Sequence, residues 1–234
     1  MSQSSDEELE RLKEGRWRET SAVDLAFERG EIDEDGWHAA MAAIVVPAYL
    51  AGDNPKAQSG HSGDARRWEA ARRLILDAVE RDGSFLDAGC ANGHRMECIH
   101  AWALSDGVRL EPWGLEISPE LAALARERLP TWAERIFVGN ALDWPPPRRF
   151  DFVRTSLYYV PTSRRGEFVT RLLADVVSQG GRLIIGVFNE ETEERAQEEL
   201  VRSWGFGVAG RTERPHPETD RLVRRAFWLD ATEE

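Results

Sequence analysis

Apolar positions along the chain follow two regimes. Residues 1–35 are charged and weakly amphipathic, with Leu9, Leu12, Val23, Leu25 and Phe27 as the few apolar anchors. Ser21, with Asp24 three residues later, reads as the cap of a short helix. Residues 36–50 predict a second, alanine-rich helix ending near Pro47, and 52–63 are dense in turn residues. A third helix is expected from Asp64 to Glu80, because Trp68, Ala71, Leu74, Ile75, Ala78 and Val79 share one face. From residue 84 short apolar runs take over. Strands are expected at Ser84–Ala88, Trp113–Ile117, Ile136–Gly139, Phe150–Thr155 and Arg182–Phe188, with helices near 94–104, 119–129, 163–178 and 190–204. Such alternation builds βαβ units and a mainly parallel sheet. Ser118 and Pro119 are a cap residue and a first-turn proline for the helix at 119. Two strand-like runs close the chain, Phe206–Arg211 and Leu222–Leu229, and predict an antiparallel hairpin at the sheet edge.

Composition narrows the function classes. The 234 residues suffice for one large domain, or for a core with an appendage. A formal charge of −12 repels a phosphate backbone, so a nucleic-acid partner is disfavoured. Cys90 and Cys98 form neither a disulfide framework nor a CxxC pair, and no metal is expected. The acidic start, Ser4-Ser5-Asp6-Glu7-Glu8, is unlike a signal peptide. The longest apolar stretch, Ala39–Ala51, is broken by Pro47 and is too short for a membrane span. The expectation is a cytoplasmic protein without a membrane partner.

Chemistry concentrates in Phe85-Leu86-Asp87-Ala88-Gly89-Cys90-Ala91-Asn92-Gly93, where a buried strand runs into a loop of small residues that opens a helix. Small residues let a ligand approach the backbone, and the helix start offers free N–H groups. A dinucleotide site needs G-x-G-x-x-G; here His94 stands at the third glycine position, which argues against NAD. Glu116, at the tip of the next strand, is placed to accept hydrogen bonds from both hydroxyls of a ribose.

Asp87-x-Gly89-x-Ala91-x-Gly93 resembles the nucleoside-binding signature of the class I S-adenosylmethionine-dependent methyltransferases, with alanine for the middle glycine. Gly114-Leu115-Glu116-Ile117-Ser118-Pro119 resembles that family's second motif, and Phe137-Val138-Gly139-Asn140-Ala141-Leu142-Asp143 its third, with Asn140 where aspartate is usual. Phe150-Asp151-Phe152-Val153 is similar to the fourth, and Gly180-Gly181-Arg182-Leu183 to the glycine turn before strand five. The likeness spans residues 70–230 and implies an α/β fold: a Rossmann-like, mostly parallel sheet of seven strands, the last antiparallel, with helices on both faces. It further implies a methyltransferase domain over 64–234, an N-terminal helical lid over 1–63, and S-adenosylmethionine as cofactor. By the same resemblance Asp87 and the loop Gly89, Cys90, Ala91, Asn92 and Gly93 hold the methionine end. Glu116 takes the ribose, Ile117 packs on adenine, Asn140 and Ala141, with Leu142 beside them, meet its rim, and Thr155 closes the cofactor site.

Methyl transfer is an in-line displacement in which positioning supplies much of the rate, so no universal catalytic residue is expected. Arg154-Thr155-Ser156-Leu157-Tyr158-Tyr159 follows strand four and matches neither the Asn/Asp-Pro-Pro-Tyr/Phe pattern nor the Pro-Cys nucleophile used on nucleobases. Tyr158 and Tyr159 are the candidates for contact with the acceptor, and His61 in the turn-rich loop for a base. Arg154 either recognises an anion on the substrate or is paired internally. The favoured acceptor is a small molecule. An RNA or protein methyltransferase, a same-fold enzyme doing cyclisation or aminopropyl transfer, and a dehydrogenase are the alternatives.

Overall fold

The computed structural model describes residue 15 and residues 18–61, 63–187, 195–216 and 219–231. Strands β1 (Gly83–Ala88), β2 (Leu110–Glu116), β3 (Ile136–Val138), β4 (Phe150–Thr155), β5 (Val177–Val187), β6 (Gly210–His216) and β7 (Thr219–Asp230) form one sheet. Its order is β3-β2-β1-β4-β5-β7-β6. Strands β1 to β5 pair in parallel, while β7 runs antiparallel to both β5 and β6. The expected sheet and terminal hairpin are both present.

Alternation along each strand builds the two faces. Phe85, Phe152, Ile184 and Ala226 point into one buried cluster, and their neighbours Leu86, Val153, Ile185 and Phe227 into another. The first cluster is covered by Ile99 and Ala103 of α4 (His94–Ser105) and by Leu74, Ile75 and Ala78. The second is covered by Phe168 and Val169 of α6 (Arg165–Arg171) and by Val201 of α7 (Ala196–Ser203). Strands buried on both faces read as continuous apolar runs, which explains why they are visible in the sequence. Chain order reverses at β1, which lies between β2 and β4, so a crevice opens beyond the carboxyl ends of β1 and β4.

Helix starts follow local capping rules. Ser118 Oγ accepts from Leu121 N at 3.2 Å, with Pro119 in the first turn of α5 (Pro119–Arg128). Asp33 caps α2 (Glu34–Leu50), and Asp64 caps α3 (Ala65–Arg72). Among the described residues no helix is long and apolar enough to cross a membrane.

Several expectations are corrected. The first helix, α1, spans 18–28 of the described residues, so Ser21 lies inside it rather than at its start. Pro47 sits within α2 instead of ending it. The helix expected to Glu80 stays α-helical only to Arg72, then tightens into a 3-10 turn, Arg73–Ala78, whose three-residue period keeps Ile75 and Ala78 on the sheet. The helix expected over 163–178 ends in a π turn at Val176, because Val177 already pairs with Phe150. The helix expected over 190–204 is seen as Ala196–Ser203, and 188–194 lie outside the described residues. Strand β6 starts at Gly210, not Phe206; Phe206 and Val208 pack on the core as irregular chain. Pairing begins where Gly210 permits close contact with the Trp228 ring, 2.2 Å from where a Cβ would stand.

Candidate active site

The loop after β1 folds back over the end of β2: Gly89 N and Cys90 N both donate to Leu115 O, at 2.8 and 3.0 Å. Gly89, Ala91 and Gly93 take left-handed backbone, at φ 80°, 49° and 76°. Ala91 is the costly one, since a Cβ disfavours this region. Its N–H donates to Glu116 Oε2 at 2.8 Å, while Glu116 Oε1 accepts from Ser118 N at 3.0 Å. The one carboxylate thereby ties the β1 loop to the start of α5. Burial pushes the Glu116 carboxyl above its ordinary value, and the Ser118 and Ala91 N–H groups offset this only in part. Each oxygen retains a lone pair for a further donor.

Beyond this loop lies a cavity of about 900 Å³. Of the residues singled out in the sequence, Gly89, Cys90, Ala91, Glu116, Ile117, Asn140, Ala141, Tyr158 and Tyr159 line it. Ile117 is 39% exposed. Asn140 Oδ1 accepts from Leu142 N at 3.0 Å, forming a turn that presents the loop after β3.

Seven others do not line the cavity. Asp87 is fully buried, and Arg95 Nε meets both its oxygens, at 3.0 and 2.9 Å, with Arg154 Nη1 at 3.5 Å from one of them. Its carboxylate therefore serves the scaffold beneath the loop rather than facing the cavity. Arg154 is likewise internal, paired with Asp87 and donating to Tyr159 Oη at 3.0 Å. Asn92 accepts from Ser59 Oγ at 2.6 Å and donates to Pro55 O at 3.0 Å, clamping the 52–63 segment to the glycine loop. Gly93 makes room for Leu129 Cδ1, 2.6 Å from where a Cβ would stand. Leu142 and Thr155 are buried, Leu142 in the core.

His61 is the seventh. Its ring stands edge-on to Trp68, 5.3 Å between centroids, and its Nε2 is buried without a hydrogen-bond partner. Burial, reinforced by Arg72 and Arg67, pulls its pKa down to about 3. This histidine is a weakly basic packing group behind Trp68, which itself lines the cavity.

The opposite wall comes from α2, within the N-terminal segment read above as a lid. Helix α2 presents His38, Met41, Val45 and Tyr49 to the cavity at i, i+3, i+7 and i+11. All three tyrosines of the chain line the cavity. Burial raises Tyr49 to about 12, whereas for Tyr159 burial is outweighed by Arg154 and Arg95, and its hydroxyl falls below the ordinary value. The α1–α2 region is held to the segment after β4: Thr162 N and Oγ1 donate to Asp24 at 3.2 and 2.5 Å, and Ser163 N donates to Glu28 at 2.9 Å. Asp24 also receives Trp37 Nε1 at 3.1 Å.

No family model and no curated protein matches the sequence. Solved structures do match. The chain aligns with 1,6-didemethyltoxoflavin-N1-methyltransferase of Burkholderia thailandensis, solved with 1,6-didemethyltoxoflavin and S-adenosylhomocysteine, at 20% identity and a TM-score of 0.61, over 86% of this chain and 92% of that one. The fold is that of the class I S-adenosylmethionine-dependent methyltransferases. The N-methyltransferase NodS of Bradyrhizobium japonicum, in complex with S-adenosylhomocysteine, is similar at 18% identity and a TM-score of 0.54, over 81% and 99% of the two chains. The same fold carries the [4+2]-cyclase SpnF, at 12% identity and a TM-score of 0.55, over 82% and 93%.

Proposed function

We propose that this protein is a cytoplasmic S-adenosylmethionine-dependent methyltransferase acting on a small-molecule acceptor. The observation that carries the reading is the single cavity that joins the glycine loop and Glu116 to Tyr158, Tyr159 and the inner face of α2. Its volume is at the upper end of the roughly 300–1,000 Å³ usual for ligand clefts, enough for a nucleoside cofactor and a compact acceptor together. The similar structures that hold S-adenosylhomocysteine, one of them with a small heterocyclic acceptor, support the same reading.

The residues present fit the cofactor. Glu116 lines the cavity with lone pairs to spare for ribose hydroxyls, and Ile117 offers an exposed apolar side chain to an adenine face. Asn140 and Ala141 stand at the rim, and the left-handed loop from Gly89 to Ala91 brings backbone close to the methionine end. When bound, S-adenosylmethionine supplies an electrophilic methyl group on a sulfonium. The chain supplies position and exclusion of water, with α1, α2 and Tyr158 as the walls. The described N-terminal residues, 18–61, then act as a lid rather than an independent domain, because α2 places Trp37, Met41, Val45 and Val46, and α1 places Leu25, on this cavity.

The test is calorimetry with S-adenosylhomocysteine, followed by incubation of protein and methyl-labelled cofactor with a pool of small metabolites. Binding with transfer of label to a small molecule is the expected result. Transfer to RNA or protein alone, or binding without any transfer, as for a cyclase, refutes the small-molecule reading.

A further inference from the structure

Among the described residues four charged side chains line the cavity: Asp24, Arg95, Glu116 and Arg165. Three have their partners inside the protein. Asp24 receives Thr162 and Trp37, Glu116 receives Ala91 N and Ser118 N, and Arg95 is paired with Asp87 and donates to Gly89 O at 2.7 Å. Arg165 differs. Its Nε donates to Leu157 O at 3.0 Å, and its guanidinium lies 5.3 Å from the centroid of the Tyr158 ring. Among the described residues no carboxylate pairs with it.

These two contacts hold the guanidinium in one orientation while using only its Nε edge. The two terminal nitrogens remain, and they form a fork that matches the two oxygens of a carboxylate. The cation lies over an aromatic ring and is half-buried, in a cavity whose walls include Trp37, Met41 and Val45, which strengthens its pull on an anion. The chain as a whole carries a formal charge of −12, so capture of an anion depends on this local group and not on the general field.

We propose that Arg165 is a specificity-determining residue that binds a carboxylate of the methyl acceptor, so that the acceptor class is small, largely apolar carboxylic acids. This rests on the methyltransferase reading above. It also places the acceptor's carboxylate beside Tyr158, on the β4 side of the cavity.

The probes are benzoate, phenylacetate, benzamide and phenyl phosphate, each titrated by calorimetry and ligand-observed NMR into protein saturated with S-adenosylhomocysteine. Wild type is expected to bind the two carboxylates and not benzamide. Arg165→Gln is expected to weaken carboxylate binding about tenfold or more, the range of a lost charged hydrogen bond. Arg165→Lys should recover part of it as a point charge without the fork. S-adenosylhomocysteine affinity should stay within about twofold in both variants, which also reports that they are folded. Carboxylate binding equal in wild type and Arg165→Gln, or none in wild type, overturns the proposal. A tenfold loss of S-adenosylhomocysteine in Arg165→Gln moves the residue to the cofactor, and preference for phenyl phosphate replaces the carboxylate with a phosphate. Failure of wild type to bind S-adenosylhomocysteine is a different result, and it removes the underlying reading instead.

Discussion

Glu116→Gln separates the two tasks of this side chain, because it keeps shape and removes charge. In the native protein the carboxylate accepts Ala91 N at 2.8 Å and Ser118 N at 3.0 Å while only 7% exposed. A glutamine can serve one of these donors with its carbonyl but turns an NH2 toward the other. One buried N–H then lacks an acceptor, which costs about 1–3 kcal/mol of stability and a few degrees of Tm. The ligand term is separate. Hydrogen bonds to a charged acceptor contribute about 1.5–3 kcal/mol against about 0.5–1.5 for neutral ones. Two ribose hydroxyls should therefore lose about 1–3 kcal/mol, or roughly five- to 150-fold in Kd. Acid pH gives an independent check. The Glu116 carboxyl titrates above its ordinary value in the folded protein because it is buried. Its contribution to stability is thus full below the unfolded value and is lost as pH rises through the folded one. Ribose binding has the opposite sign, since it needs the carboxylate. S-adenosylhomocysteine affinity should fall as pH drops through that raised value in wild type, and this fall should be absent in Glu116→Gln. Calorimetry over a pH series from neutral into the acid range, alongside melting curves, measures both effects. A variant that binds within twofold of wild type at neutral pH removes Glu116 from the ribose and refutes the reasoning.

Gly89→Val should abolish S-adenosylhomocysteine binding, since φ is 80° and a Cβ would stand 2.4 Å from Tyr159 Cε2; calorimetry on protein shown to be folded by circular dichroism checks it, and normal binding would clear the loop of any role. His61→Phe should leave S-adenosylhomocysteine affinity within about twofold, because the ring packs behind Trp68 and does not itself line the cavity. With its folded pKa near 3 against 6.5, His61 stabilises the fold above pH 6.5 and progressively less as pH falls toward 3; the phenylalanine variant should show a shallower loss of Tm over that window, and an unchanged slope would contradict the burial argument. Hydrogen exchange should show protection rising across residues 20–61 with S-adenosylhomocysteine while β1, β2 and β4 change little; equal protection in both states excludes a lid.

The order of strands and helices, the glycine loop after β1 and the start of α5 were all legible from residue types. Each rests on physics that acts within a few positions. Apolar runs report strands buried on both faces, a serine before a proline reports a helix start, and small residues report tight backbone. The placement of Glu116, Ile117, Asn140 and the two tyrosines around one cavity also followed, because strand tips in a parallel sheet gather at one edge. The surroundings that residue types did not reveal depend on partners far away in sequence. Asp87 looked free to meet a ligand, but Arg154, 67 positions on, and Arg95 occupy its carboxylate. Arg154 could equally have faced a substrate; its neighbours across the sheet turn it inward. His61 sat in a loop rich in turn residues, yet Trp68 and nearby arginines bury it and strip its basicity. Conversely, Arg165 is one arginine among many until packing sets its guanidinium over Tyr158 at the cavity, with no carboxylate paired to it among the described residues. Backbone periodicity is a local property and survives in one dimension; desolvation and charge pairing are properties of neighbours in space, and only the folded chain supplies those neighbours.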